Sequence, residues 1–183
     1  MKIIAGQWRG RALVAPDGEA TRPTANRVRE ALFSMLTSRI GSFEGLRVAD
    51  VFAGTGALGM EALSRGCAHV SFVETDAGAL KALKTNIARS KVEALTDVFA
   101  QPALAVGRAR QAYDLLMLDP PYGEGLAAPA LAHLMAQGWI APHALISVET
   151  AAKEPLEVAG FTIEVTRRHG KAALHLLRVG EPE

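Results

Sequence analysis

Cysteine is almost missing from this chain: Cys67 is the single one in 183 residues. A lone cysteine excludes an internal disulfide and a cysteine cluster for zinc. No apolar run approaches the roughly 18 residues that would suggest a membrane span. The opening MKIIAGQWRGR lacks the long apolar middle of a signal peptide. His69, His133, His143, His169 and His175 show no metal-ligand spacing, so no metal is expected. There is no internal repeat and no low-complexity linker. These absences read as a soluble, cytoplasmic protein.

What is present suits one domain. Hydrophobic residues make up 49% of the chain, enough to bury a core. The net charge of +1 conceals an asymmetry: residues 1–40 carry +4, and the remainder −3. Six of the seven cations in the first forty residues are arginine, whose planar fork suits phosphate. A basic N-terminal extension, 1–45, is therefore a candidate nucleic-acid contact ahead of a core at 46–183.

Within the extension, residues 2–14 read as a hairpin turning at QWRG and ended by Pro16, Asp17 and Gly18. TRPT at 21–24 reads as an extended lead-in, because proline pushes the preceding residue out of helix space. Val28, Ala31, Leu32, Met35 and Leu36 then fall at helical spacing. Arg27, Arg29 and Glu30 lie off that stripe, and Thr24 or Asn26 is a candidate cap.

From residue 46, LRVADVF, HVSFVE, LTDVFA, YDLLMLD and ALISVE read as strands, mostly apolar on both faces. Helical segments are expected at about 56–65, 77–90, 102–110 and 126–137. This alternation predicts an α/β fold, a doubly wound, mostly parallel sheet covered on both sides. FTIEVTRRHGKAALHLLRV reads as a C-terminal antiparallel hairpin around HGK, which makes seven strands.

DVFAGTGALGMEAL follows the first core strand and opens a helix, with Gly54, Gly56 and Gly59 as GxGxxG. Glycines there allow a tight turn and close approach of a ligand. Glu74 ends the next strand, where a carboxylate accepts from ribose hydroxyls. This much fits a nicotinamide-dependent dehydrogenase. Asp50, however, stands where a dinucleotide-binding strand is apolar, and a diphosphate disfavours that charge. S-adenosylmethionine has no phosphate and carries two cationic centres, so it tolerates the acid.

The stretch LLMLDPPYGEG ends a strand on Asp119, followed by Pro120, Pro121 and Tyr122. Ligands of an open parallel sheet bind beyond the carboxyl ends of its strands. Proline supplies a carbonyl without a donor, and an ionised Asp only accepts. Asp119 and the Pro120 carbonyl thus offer two acceptors to the two hydrogens of an amino group. Tyr122 offers a ring for a base to stack on. An amine conjugated to a base is a poor nucleophile, and holding both its hydrogens aims its lone pair at a methyl group. The target base would have to be flipped out to reach it.

DVFAGTGALG, Glu74 and DPPY resemble methyltransferases acting on exocyclic amines of nucleic-acid bases. With KIIAGQWRGRAL, TRPTANRVREALFSML and DVFAGTGALGMEALSRG, nearly the whole chain resembles the bacterial 16S rRNA guanine-N2 methyltransferase family, which modifies guanine 966. The resemblance implies a Rossmann-like methyltransferase sheet, S-adenosyl-L-methionine as cofactor, and 16S rRNA of an assembling small subunit, with its bound ribosomal proteins, as substrate. It also suggests a monomer. It assigns Asp50, Ala53, Gly54, Thr55, Gly56, Gly59, Glu74, Gln101 and Asp119 to the cofactor, and Asp119 through Tyr122 to the guanine. Asn26 departs from the Asp common in the family. Arg9, Arg11, Arg22, Arg27 and Arg29 are the expected RNA contacts, with Arg167, Arg168 and Lys171 as a second patch. Trp8 is read as packing on the domain, Cys67 as a small buried hydrophobe, and Glu149 as a loop acid. The alternatives are a DNA adenine-N6 or cytosine-N4 methyltransferase, a dehydrogenase, and a non-catalytic RNA-binding assembly factor.

Overall fold

Alternating apolar pairs along each strand dictate the architecture. In β1 (Arg47–Val51), Val48 faces one side of the sheet while Ala49 and Val51 face the other. In β4 (Tyr113–Leu118), Leu115 and Met117 oppose Leu116 and Leu118 in the same way. Both faces must therefore be covered. The computed structural model describes residues 1–17 and 23–180. One face carries α1 (Pro23–Ile40), α2 (Ala57–Ser64) and α3 (Ala77–Ser90), and the other carries α4 (Ala127–Ala136).

With β2 (His69–Val73), β3 (Thr96–Phe99), β5 (Ile140–Ala151), β6 (Phe161–His169) and β7 (Ala172–Val179), the sheet has seven strands, in the order β3-β2-β1-β4-β5-β7-β6. The first five strands pair in parallel, while β7 runs antiparallel to both β5 and β6. This is the doubly wound sheet with a terminal hairpin that the pattern predicts. The strand order reverses between β1 and β4, so a crevice opens beyond their carboxyl ends. Asp119 N–H donates to the Val51 carbonyl at 3.3 Å, tying the two strand ends together there.

Two expectations change, and a third is met only loosely. Residues 2–14 do double back as a hairpin, but an irregular one: a Lys2–Ala12 antiparallel bridge is flanked by Ile3 N–H to the Arg11 carbonyl (2.9 Å) and Leu13 N–H to the Met1 carbonyl (2.8 Å), without regular strands. The N–H groups of Ile4 and Ala5 turn instead to the Glu61 carboxylate (2.8 and 3.0 Å), Trp8 N–H to Ser64 Oγ, and Val14 N–H to Asn86 Oδ1. The arm is thus stitched to α2 and α3 as well as to itself. Residues 102–110 contain only one 3-10 turn, at Ala103–Ala105. The Val106 and Gly107 carbonyls face the His133 and Trp139 rings, and Ala109 N–H donates to the Gln137 carbonyl. Those tertiary bonds take the place of a helical ladder. Finally, α1 begins at Pro23, so Thr24 and Asn26 lie inside its first turn rather than capping it. Proline suits the first helical position because that N–H has no helical partner.

Among the described residues no helix is long and apolar enough to cross a membrane. Cys67 is buried, and burial pushes its thiol up to about 12, in keeping with a packing role.

Candidate active site

The crevice is a cleft of about 850 Å³, walled by α1, part of the N-terminal arm, the segments that follow β1, β2 and β4, and Glu149 of β5. The β1–α2 loop turns sharply. Phe52 is held at φ 63°, an uncommon backbone for a bulky residue, and Ala53 N–H donates to the Val73 carbonyl at 2.9 Å. Ala53, Gly54 and Thr55 then line the cleft.

The three glycines do different jobs. Gly54, at φ 57°, has open space where a side chain would stand, which leaves room for a ligand. A Cβ on Gly59 would lie 2.3 Å from Phe72 Cε1 and 2.8 Å from Val70 Cγ1, so Gly59 lets α2 press against β2. Gly56 likewise abuts Leu83 and Phe72. Neither Gly56 nor Gly59 lines the cleft.

Glu74, half-buried, satisfies the loop from β2. Its Oε1 accepts from Gly54 N–H at 2.7 Å, and its Oε2 accepts from Thr75 and Asp76 N–H at 2.7 and 2.8 Å. A carboxylate has about four acceptor positions, so one remains for a hydroxyl. Asp76 caps α3 through Ala79 N–H at 2.8 Å.

Asp50 stands elsewhere than the resemblance implies. It is fully buried, outside the cleft lining, and its Oδ2 accepts from Gly59 N–H at 2.8 Å. It fastens the start of α2 from beneath. Burial, with smaller contributions from Asp119 and Glu74, holds its carboxyl well above the usual range. Its Oδ1 has no hydrogen-bond partner. Gln101 also lies outside the cleft lining, at the start of the β3–β4 connection.

Asp119 is the member of DPPY that lines the cleft. Pro120 is buried behind it, while Pro121 and Tyr122 are exposed, Tyr122 at 47%. The Tyr122 hydroxyl donates to Glu149 Oε1 at 2.6 Å, which ties the ring to the cleft edge. Gly123 N–H donates to Glu154 Oε2 at 3.2 Å. Solvent reaches the Asp119 carboxylate, yet the cleft walls surround it. That enclosure and then the nearby Glu149 push its pKa up to about 8. Burial and Glu149 also raise the Tyr122 phenol.

Glu149 is thus no loop acid. It sits within β5 and lines the cleft beside Asp119. Its place at the end of an apolar strand run, matching Asp119, was the available signal. The other missed residue is Glu61, fully buried, which anchors the arm and accepts from Arg65 Nε at 3.0 Å.

The arginines divide. Arg9, Arg11 and Arg27 are exposed; Arg22 lies outside the described residues. Arg29 is a correction: it is only 6% exposed, and its Nη2 donates to the Lys2 carbonyl. Arg29 and Phe33 extend the buried face of α1 beyond the apolar stripe, Phe33 packing against Phe43 and under Arg65. Arg29 therefore ties α1 to the arm and is withdrawn from surface phosphate. Burial lowers its pKa, opposed by Glu61 and Glu30.

Arg11 Nη1 donates to Ser90 Oγ at the far end of α3, while Ala79 in the first turn lines the cleft. At about 1.5 Å per residue, the Arg11 contact lies roughly 16 Å along α3 from the cleft wall. Trp8 is half-buried against the α1-side core, with Arg11 over its ring at 5.3 Å. Arg167, Arg168 and Lys171 are exposed. Arg167 pairs with Leu174 and Arg168 with Ala173, so the two arginines point to opposite faces of β6.

A parallel sheet with this order, an open glycine turn and an acid at each neighbouring strand end define a chain of the methyltransferase fold. Magnesium protoporphyrin IX methyltransferase from Synechocystis PCC 6803 shares that fold at a TM-score of 0.65 and 15% identity, over 88% of this chain and 86% of that one. The family model described as Conserved hypothetical protein 95 matches residues 1–178. The chain belongs to this family. It is similar to ribosomal RNA small subunit methyltransferase D of Haemophilus influenzae, at 41% identity over 85% of this chain and 81% of the relative. The protein of that name from Escherichia coli K12 is 35% identical over 96% and 88%. The solved structure of Escherichia coli yhhF superposes at a TM-score of 0.84 with 35% identity, covering 98% and 97%.

Proposed function

We propose that this protein transfers a methyl group from S-adenosyl-L-methionine to the exocyclic N2 of a guanine in 16S rRNA of the small ribosomal subunit. The observation that carries the reading is the meeting of Asp119 with Gly54 and Glu74 in one cleft. The 35–41% identity to small-subunit rRNA methyltransferases D supports the substrate class.

The residues fit the cofactor. Gly54 leaves open space beside its backbone, and Glu74 keeps acceptor capacity for a ribose hydroxyl. When bound, S-adenosylmethionine supplies an electrophilic methyl on a sulfonium. Asp119 and the Pro120 carbonyl accept the two N2 hydrogens, turning the nitrogen lone pair toward that methyl. Tyr122 stacks on the flipped base. Orientation of this kind accounts for much of the acceleration, up to about 7–11 kcal/mol in favourable systems. After transfer the methylated ammonium is strongly acidic, so Asp119 need only accept a proton already leaving.

Arg9, Arg11 and Arg27 contact phosphates, and the exposed cations of the β6–β7 hairpin add a second patch. The substrate is 16S rRNA with its bound ribosomal proteins, in an assembling subunit, and the enzyme acts as a cytoplasmic monomer. The test is transfer of labelled methyl to small subunits from a strain lacking the gene, with the modified nucleoside identified by mass spectrometry. N2-methylguanosine is expected; label on adenine N6 or cytosine N4, or none, would defeat the reading.

A further inference from the structure

We infer that Glu149 reads the N1–H of the target guanine and so sets the enzyme's choice of base. This rests on the guanine-N2 reading above and specifies how that base is recognised.

The placement follows from the sheet register. Leu118 of β4 and Val148 of β5 are register partners, so Asp119 and Glu149 are the next residues on adjacent parallel strands. Such strands lie about 4.8 Å apart. The two side chains line the same cleft and approach within hydrogen-bonding reach of each other. Glu149 Oε1 is already met by the Tyr122 hydroxyl. The pair therefore forms a short row of acceptors, and two carboxyls this close disfavour being ionised together. A ligand edge carrying consecutive donors relieves that conflict.

Among the amino-bearing bases, guanine has such an edge. Its N2 amine adjoins N1–H, a donor. In adenine the ring nitrogen beside the N6 amine bears a lone pair, and in cytosine so does the one beside N4. With the amine held by Asp119 and the Pro120 carbonyl, an acid one strand over accepts from guanine N1–H. It repels the lone pair that the other two bases would place there. Glu149 also fixes the base's orientation: the other neighbour of the guanine amine, N3, carries a lone pair and must turn away from β5.

The test uses small subunits reconstituted with 16S rRNA that carries either guanine or 2-aminopurine at the target position. 2-Aminopurine keeps the N2 amine but has a lone pair at N1. Wild-type enzyme is expected to favour guanine in kcat/KM by about tenfold or more. In Glu149→Gln the amide can rotate to donate to that lone pair, so the guanine to 2-aminopurine ratio is expected to fall about tenfold. Tyr122→Phe, which keeps Glu149 but removes its hydroxyl partner, is expected to slow both substrates and leave the ratio in place. If Glu149→Gln slows both substrates equally, or Tyr122→Phe shifts the ratio as much, the inference is overturned. Glu149 then only seats Tyr122, and the guanine-N2 reading stands. A wild-type enzyme that leaves guanine unmodified in these subunits defeats the function itself, a separately visible outcome.

Discussion

On the β1–β2 side of the cleft, acids are met by backbone N–H groups; on the β4–β5 side, acids meet each other. Glu74 accepts three backbone bonds and Asp50 one, so the glycine turn is held rigid. Asp119 faces Glu149, with Tyr122 bridging to the latter and Glu154 close behind. The first side is preorganised and its acids are largely satisfied. The second carries surplus acceptors and awaits donors. On the function proposed above, a site built this way would separate holding a constant cofactor from selecting a substrate.

The contrast can be broken first at Asp119. Asp119→Ala is expected to lower kcat about 100-fold or more, since misplacement of a reacting group costs that much. Cofactor affinity, measured by calorimetry, should stay within about twofold on the reading that the β1–β2 side does the holding. An equal loss in both measurements would erase the distinction. On the other side, Gly59→Ala forces a Cβ against Phe72 and Val70. It is expected to destabilise the fold by about 1–3 kcal/mol in urea titration and to weaken cofactor binding with it.

The pH dependence sharpens the comparison. Ionised, Asp119 is acceptor-only, whereas protonated it turns an O–H donor toward the amine; its pKa is raised to about 8. So kcat/KM should climb as pH rises through about 8 and fall away below it. Glu149→Gln removes a neighbouring negative charge and should move that rise to lower pH. A flat profile from pH 6 to 9 would contradict the shift. The smallest effect is expected at Arg27, outside both halves. Arg27→Ala should weaken subunit binding modestly and reduce its salt dependence by about one counterion, with cofactor affinity unchanged.

Features fixed by local pattern were legible in the residues. Doubled apolar faces announced a parallel sheet, HGK announced the terminal hairpin, and the bounds expected at 77–90 match α3. Features fixed by tertiary partners were not. Residues 102–110 have helical composition, but their carbonyls are taken by rings from beyond α4 and within it. Arg29 lies off the apolar stripe of α1 and reads as a surface cation, yet it is buried, with its guanidinium on the Lys2 carbonyl of the arm. Glu61 reads as an ordinary helix acid until the arm's N–H groups arrive. At the site, the glycine turn and Asp119 were visible as motifs. The pairing of Asp119 with Glu149 was not, because it depends on strands brought side by side. Gly56 and Gly59 belong to the recognised motif but serve packing, so a motif's residues need not share one role.

The docking of the arm on Glu61 also bears on how the chain is made. Ile4 and Ala5 leave the ribosome well before their acceptor, which lies 57 and 56 residues later, and the partner of Val14 lies 72 residues on. At about 5–20 residues per second of synthesis, the first strand-like segment must wait several seconds for its berth. Ile3 and Leu13, buried at the end, spend that interval uncovered, and the basic arm closes over α2 as a late event in vectorial folding.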